Sequence, residues 1–206
     1  MKKITIVDYG SGNVLSAQKS FVKIAKDNNI EVDVLISKKL NDVKDSTHVV
    51  LPGQGAFSTC MNSLKKTDGL IDELCEFALI KKKPFLGICV GMQMLAKMSE
   101  ENGVHEGLGW IDGKIKILPG DNLKLPHMGW NLSIPTNSKY NNLISTKDDY
   151  YFVHSYYFDC ADKDNILAET KYGINFASIV GKENIYGVQF HPEKSSSQGL
   201  NLLKEF

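Results

Sequence analysis

The sequence predicts an α/β fold: an open, mixed, mostly parallel central sheet flanked by helices, with additional antiparallel strands in the second half. Three observations carry this. In the first half, short apolar runs alternate with segments of helical periodicity, the pattern of a parallel sheet wrapped by helices. Beyond about residue 109 the runs are separated by turns alone, and helical spacing returns only at about residue 197. No internal repeat, low-complexity linker or charge block interrupts the 206 residues, so a single domain over 1–206 is expected.

Taken in order, residues 4–8 read as a buried strand, and Gly10-Ser11-Gly12 turns into a helix carrying Val14, Phe21, Val22 and Ala25 on one face. Residues 31–36 alternate like a strand; 48–51 form the next, stopped by Pro52-Gly53. Leu70, Ile71, Leu74 and Ala78 mark one stripe of a helix ending in Lys81-Lys82-Lys83, whose charges suit its C-terminal dipole. A strand at 84–88 and a helix at 91–98 complete the alternating half. Further strands are expected at 110–118, 150–158, 166–170, 176–180 and 185–190, then a helix from about 197.

Composition excludes several classes of partner. Lys+Arg and Asp+Glu both number 24, so no basic surplus exists to bind nucleic acid or an anionic membrane. Arginine is absent, which removes the bidentate fork that phosphate recognition favours. The apolar run before Asp8 is too short for a signal-peptide core, and no stretch approaches the ~20 apolar residues that span a bilayer. Cys60, Cys75, Cys89 and Cys160 are irregularly spaced and read as thiols, so a cytoplasmic protein is expected.

The chemistry concentrates in three segments. Gly87-Ile88-Cys89-Val90-Gly91 joins an expected strand to an expected helix, as in an elbow that exposes a nucleophile. Its glycines allow backbone to approach backbone; the turn places the sulfur at a helix N-terminus and aims the Val90 amide at a developing oxyanion. A thiol needs a base, and of His48, His105, His127, His154 and His191 only the last has an acid placed to orient it. In Phe190-His191-Pro192-Glu193, extended geometry would point His191 and Glu193 the same way, one imidazole nitrogen on the carboxylate and the other toward the thiol. Either element alone has a plainer reading, a buried thiol or a surface ion pair; together they favour a Cys89, His191, Glu193 triad. His48 reads as a core or edge residue and His105 as solvent-facing. The third segment, Pro52-Gly53-Gln54-Gly55, can turn a peptide amide toward a neighbouring site or be a simple turn. A dinucleotide fingerprint at Gly10-Ser11-Gly12 fails because its third glycine would fall at Leu15; no phosphate-binding loop or tight metal-ligand spacing occurs, so no metal is expected.

These segments resemble the triad-type (class I) glutamine amidotransferases, through Pro52-Gly53-x-Gly55, Gly87-Ile88-Cys89-Val90-Gly91-Met92-Gln93 and Gln189-Phe190-His191-Pro192-Glu193. Four more segments resemble the glutaminase subunits that serve histidine biosynthesis: Val7-Asp8-Tyr9-Gly10-Ser11-Gly12-Asn13, Pro126-His127-Met128-Gly129-Trp130-Asn131, Tyr151-Phe152-Val153-His154-Ser155-Tyr156 and His191-Pro192-Glu193-Lys194-Ser195. The resemblance implies a flavodoxin-like class I amidotransferase fold and hydrolysis of L-glutamine to glutamate and ammonia with no cofactor. The ammonia would pass to a synthase (cyclase) subunit, held as a heterodimer, that forms imidazole glycerol phosphate and aminoimidazole carboxamide ribotide. It also implies an oxyanion hole from the amides of Val90 and the Gly53-Gln54 segment, and glutamine held by Gln93, Gly55, Ser155 and Tyr156. His127, Met128, Gly129, Trp130 and Asn131 would face the partner; without the resemblance, Met128 and Trp130 read rather as core. Gln54 departs from the small apolar residue, commonly valine, at that position in the family, which leaves open an alternative acceptor, a surface sugar.

Overall fold

The computed structural model describes residues 1–120, 123–136, 138–139, 141, 143–144 and 146–206. The elements run β1 (Lys2–Val7), α1 (Val14–Asp27), β2 (Val32–Ser37), α2 (Leu40–Lys44), β3 (His48–Gly53), α3 (Phe57–Lys65), α4 (Leu70–Cys75) and β4 (Phe85–Cys89). There follow α5 (Val90–Gln93), β5 (Met98–Ser99), β6 (His105–Glu106), β7 (Gly113–Ile117), β8 (His127–Pro135), β9 (Asp148–His154) and β10 (Tyr156–Cys160). The chain ends with β11 (Ile166–Tyr172), β12 (Ile174–Lys182), β13 (Ile185–Val188) and α6 (Ser196–Glu205).

Among the described residues the strands make a nine-stranded sheet, ordered β2-β1-β3-β4-β13-β12-β11-β8-β9, and a four-stranded sheet, β10-β7-β5-β6. The first five strands of the large sheet pair in parallel and the other four join antiparallel, so the sheet is mixed as expected, but with parallel and antiparallel pairings in equal number rather than mostly parallel. Because β1 lies between β2 and β3, the chain winds one way from β1 to β2 and the other way from β3 onward. Such a reversal opens a crevice at the carboxyl ends of the strands, where α/β proteins bind ligands. Tyr9, Gly53, Cys89 and Gln189 all lie at or just beyond those ends. The core is fully apolar on both faces of β3 and β4, where Val49, Val50, Leu51, Phe85 and Leu86 are wholly buried, as a sheet covered on both sides requires.

Several local readings change. Val22 is half exposed; α1 buries Ala17, Phe21, Ile24 and Ala25, a 3.6-residue stripe that passes beside Val22. β3 continues through Pro52 and Gly53, because parallel pairing with β4 on this side needs no donor from the proline. The helices α2 and α3 and the strand β8 were not foreseen. The stripe from Leu70 to Ala78 is α4 followed by a π-helical turn, Glu76–Ile80. The run at 110–118 shortens to β7, since Trp110 leaves the strand path to meet Phe85 edge-on, ring centroids 4.9 Å apart. The run at 150–158 is two strands: β9 pairs with β8 in the large sheet, and β10 pairs with β7 in the small one, the switch falling at Ser155. His105 is half-buried in β6 with its Nε2 enclosed, not solvent-facing. His48 is half-buried and its ring meets Phe206 edge-on. All four cysteines are free thiols. Among the described residues no helix is long and apolar enough to cross a membrane.

The two sides of α1 give a direct test. Phe21→Ala removes a buried ring and is expected to cost about 3–5 kcal/mol in urea denaturation, whereas Val22→Ser should stay within about 0.5 kcal/mol.

Candidate active site

Cys89 ends β4 with φ 55° and ψ −112°, a backbone conformation that costs a non-glycine residue about 1–3 kcal/mol. Close backbone contacts enforce it. A Cβ on Gly91 would lie 1.8 Å from the Leu51 carbonyl oxygen, and one on Gly87 would lie 2.6 Å from that of Gly91. Only glycine at both positions lets β3, β4 and the turn meet. The helix behind the turn is shorter than expected: α5 is one turn, because the carbonyls of Met94, Leu95 and Ala96 are taken by the amides of residues 108–111 and Lys97 bonds to Gly113. A single turn has little dipole, so the surroundings of the sulfur fall to side chains.

The imidazole of His191 supplies the first of these. Its Nδ1 lies 2.9 Å from Glu193 Oε1, and the ring lines the same cleft as Cys89, whose sulfur is near enough to act on its charge. The route differs from the extended path expected from sequence. β13 stops at Val188, and Pro192–Lys194 form a 3₁₀ turn closed by the Lys194 amide on the His191 carbonyl, 3.0 Å. The His191 amide donates to the Tyr151 carbonyl, and Ser195 Oγ ties the His191 carbonyl to the Tyr151 amide. Burial alone would lower the His191 pKa, but the bonds to Cys89 and Glu193 outweigh it and raise it to about 10. An imidazolium therefore faces the sulfur at neutral pH, with its proton ready for a leaving group.

A cleft of about 340 Å³ opens over these groups and is lined by Cys89, Val90, Gln54, Gly55, Gln93, Ser155, Tyr156 and His191, among others. Of the residues singled out from sequence for catalysis and glutamine, Glu193 sits behind His191 and Gly53 beneath the elbow; the rest share this cleft. The loop from β3 is pinned from below. Tyr9 Oη donates to the Pro52 carbonyl at 2.6 Å, and Ser11 Oγ and Cys60 Sγ lie 3.0 and 3.2 Å from the Gln54 carbonyl. With that carbonyl turned down, the Gly55 amide on the same peptide faces the opposite way. Sequence reasoning missed Glu101, His154 and Lys194 in the cleft and Gln189 beside the sulfur. Glu101 belongs to no motif and reaches the site by accepting the Phe57 amide at the start of α3, 2.7 Å. Gln189 and Lys194 were visible as the flanks of the His-Pro-Glu segment.

The segment expected to face a partner divides in two. On β8, Met128 and Trp130 point outward, 62 % and 54 % exposed, which removes the reading of them as core. His127 points inward and is buried; Gly129 and Asn131 are half-buried. Burial lowers the His127 pKa to about 4, and burial likewise lowers that of His154 to about 3 against its bond to the Tyr156 carbonyl. Both groups bind protons more readily unfolded, so they stabilise the fold above about 6.5 and that contribution fades as pH falls toward 4. His191 acts oppositely: its contribution is full below 6.5 and lost as pH rises through about 10. The melting temperature should therefore fall from pH 6.5 to pH 4, and the acid slope should flatten when His127→Phe and His154→Phe are combined; an unchanged slope would contradict the assignment.

Comparison with known proteins fits this geometry. The model for "Glutamine amidotransferase class-I" matches residues 5–206. The chain is 47 % identical to the imidazole glycerol phosphate synthase subunit HisH of Pelagibacter ubique, covering 98 % of both, and 43 % identical to that of Rhodospirillum rubrum, covering 99 % of this chain and 97 % of the relative. Among solved structures it is similar to a glutamine amidotransferase with a TM-score of 0.71 at 16 % identity, covering 98 % of this chain and 97 % of that one. A second, from Thermotoga maritima, has a TM-score of 0.61 at 19 % identity, covering 98 % and 81 %. The chain belongs to the class-I glutamine amidotransferase family.

Proposed function

We propose that this chain is the glutaminase subunit of an imidazole glycerol phosphate synthase, hydrolysing L-glutamine to glutamate and ammonia and passing the ammonia to a cyclase partner in histidine biosynthesis. The observation that carries the reading is the meeting, in one cleft at the switch point of the sheet, of the Cys89 sulfur and a His191 imidazole that Glu193 holds from behind. The full-length similarity to HisH subunits supports the pathway. No observation favours the surface-sugar acceptor.

Cys89 attacks the side-chain amide carbon of glutamine, and the oxyanion is met by the amides of Val90 and the Gly53-Gln54 segment. His191 gives its proton to the departing nitrogen, leaving a glutamyl thioester. Water then attacks with His191 as base, which releases glutamate and returns the proton to the ring. Glu193 keeps the ring oriented through both steps. Gln93, Gly55, Ser155 and Tyr156 line the cleft that holds the substrate, and Glu101 and Lys194 bring charges of opposite sign to meet a zwitterionic amino acid.

A partner follows from the chemistry of the product. Ammonia released into neutral water protonates and is no longer a nucleophile, so hydrolysis is useful only beside a second active site. Exposed Met128 and Trp130 on β8 form the face for that partner. Docking there completes the oxyanion hole by turning the Gly53-Gln54 peptide, so the lone subunit should be nearly inactive.

Three measurements test the reading. Glutamine turnover should rise at least about a hundredfold when the cyclase is added, and Cys89→Ser should lower it at least about a thousandfold in the complex. With the cyclase present, a chloro-ketone analogue of glutamine should alkylate Cys89; labelling at Cys60, Cys75 or Cys160 instead would refute the site. Trp130→Ala should weaken cyclase binding tenfold or more by calorimetry.

A further inference from the structure

Gln189 is wholly buried, and its Nε2 lies 3.8 Å from the Cys89 sulfur. A carboxamide can present either its oxygen or its nitrogen, and the two have opposite effects on a thiolate. Donor accounting decides which. The Tyr156 carbonyl oxygen can only accept, so Gln93, which reaches it at 3.1 Å, must use its Nε2. The same Nε2 meets the Gln189 side chain at 3.0 Å, so Gln189 must offer its oxygen there. Its N–H groups are thereby turned to the sulfur.

The Tyr156 carbonyl is itself fixed from the other side. His154 Nδ1 lies 2.8 Å from it and must carry the proton. In a neutral imidazole His154 Nε2 then accepts, so His127 Nδ1, 3.0 Å away, donates, and His127 Nε2 accepts from Asn131 Nδ2 at 3.1 Å. Asn131 Nδ2 also donates to the Lys171 carbonyl, and Asn131 Oδ1 accepts the Leu132 amide. Every donor in the chain Asn131, His127, His154, Tyr156 carbonyl, Gln93, Gln189 is assigned, and no flip of one member leaves its neighbours satisfied.

We propose that Gln189 is a further catalytic residue, whose side-chain N–H is held against the Cys89 sulfur as a donor to the thiolate, with Gln93, His154 and His127 as the positioning residues that prevent its amide from flipping. It rests on Cys89 being the nucleophile. The one-turn α5 gives the sulfur little dipole, so a fixed, buried dipole from a neutral amide complements the imidazolium of His191 without adding a charge. A second cation in place of Gln189 would repel that imidazolium, and a carboxylate would oppose the thiolate.

The test follows the pH dependence of Cys89 alkylation by iodoacetamide in the full-length subunit, quantified by peptide mapping so that Cys60, Cys75 and Cys160 are counted apart. The groups facing the sulfur are His191, Tyr9 and Gln189, with Glu193 behind His191 and Glu101 and Lys194 across the cleft. Gln189→Met fills the space without a donor and should move the alkylation midpoint up by about one unit, a tenfold loss of thiolate at pH below it. Gln189→Glu should move it further, and Gln93→Met, which unpins the amide, should move it in the same direction by less. Unchanged midpoints in variants that melt like the parent overturn the proposal and reduce Gln189 to a packing residue. A measurement on the unsubstituted protein stands if those variants do not fold: the side-chain amide resonances of Gln189 should titrate with the midpoint of Cys89 alkylation, and resonances that ignore it overturn the proposal. Glutamine turnover in the complex with the cyclase is read separately, so loss of the Gln189 effect with turnover intact sinks this inference alone.

Discussion

Parallel pairing of β4 with β13, in the register Phe85 to Ile185 through Ile88 to Val188, ends two strands side by side whose next residues are Cys89 and Gln189. A hundred residues of chain separate them, and the pairing removes that distance. The sulfur, the amide of Gln189 and, two residues on, the imidazole of His191 then converge because the strands stop together. β3 on the other flank of β4 places Gly53 opposite Cys89, so the oxyanion loop arrives by the same device. If β13 slipped by one residue against β4, each side chain would move to the other face and the site would be lost.

The strand ends set positions; burial sets the electrostatics. His191 and Glu193 are nearly inaccessible, and the Cys89 sulfur together with the Glu193 carboxylate outweighs the desolvation that would otherwise discharge the ring. His127 and His154, equally enclosed but without an acid, go the opposite way and stay neutral. Identical residue types are thus sorted by a neighbouring sulfur and carboxylate. Burial also raises the thiol of Cys160 to about 12 and that of Cys75 upward, which separates them chemically from a cysteine facing an imidazolium.

Much of this was legible in the sequence, for identifiable reasons. The apolar runs that became β1, β3, β4 and β13 are buried on both faces, so they stand out without alternation. The glycines around Cys89 and the proline after His191 are local signals of local geometry. Less was visible where long-range contacts decide the local structure. α5 stops early because residues 108–111 capture the carbonyls of Met94, Leu95 and Ala96 that follow it, and one run splits into β9 and β10 because its halves find partners in different sheets. β8 has polar residues pointing inward and apolar ones outward, the reverse of the usual pattern, so it did not read as a strand. The inward polar face is satisfied by His154, Lys171 and Ser178 on distant segments, which no reading of spacing could supply. Glu101 and Gln189 were missed because each acts through a contact with a distant element.

The outward apolar residues of β8 and the inward chain from Asn131 belong to one strand, so the surface suited to a partner and the surroundings of the sulfur are mechanically continuous. All of it presupposes that the Cys89 sulfur and the His191 ring are in contact. Titration of the His191 imidazole nitrogens by NMR, in the parent protein and in Cys89→Ala, tests that contact most directly. A midpoint well above 6.5 in the parent that falls when the sulfur is removed is the predicted result; a midpoint indifferent to the sulfur would contradict the account.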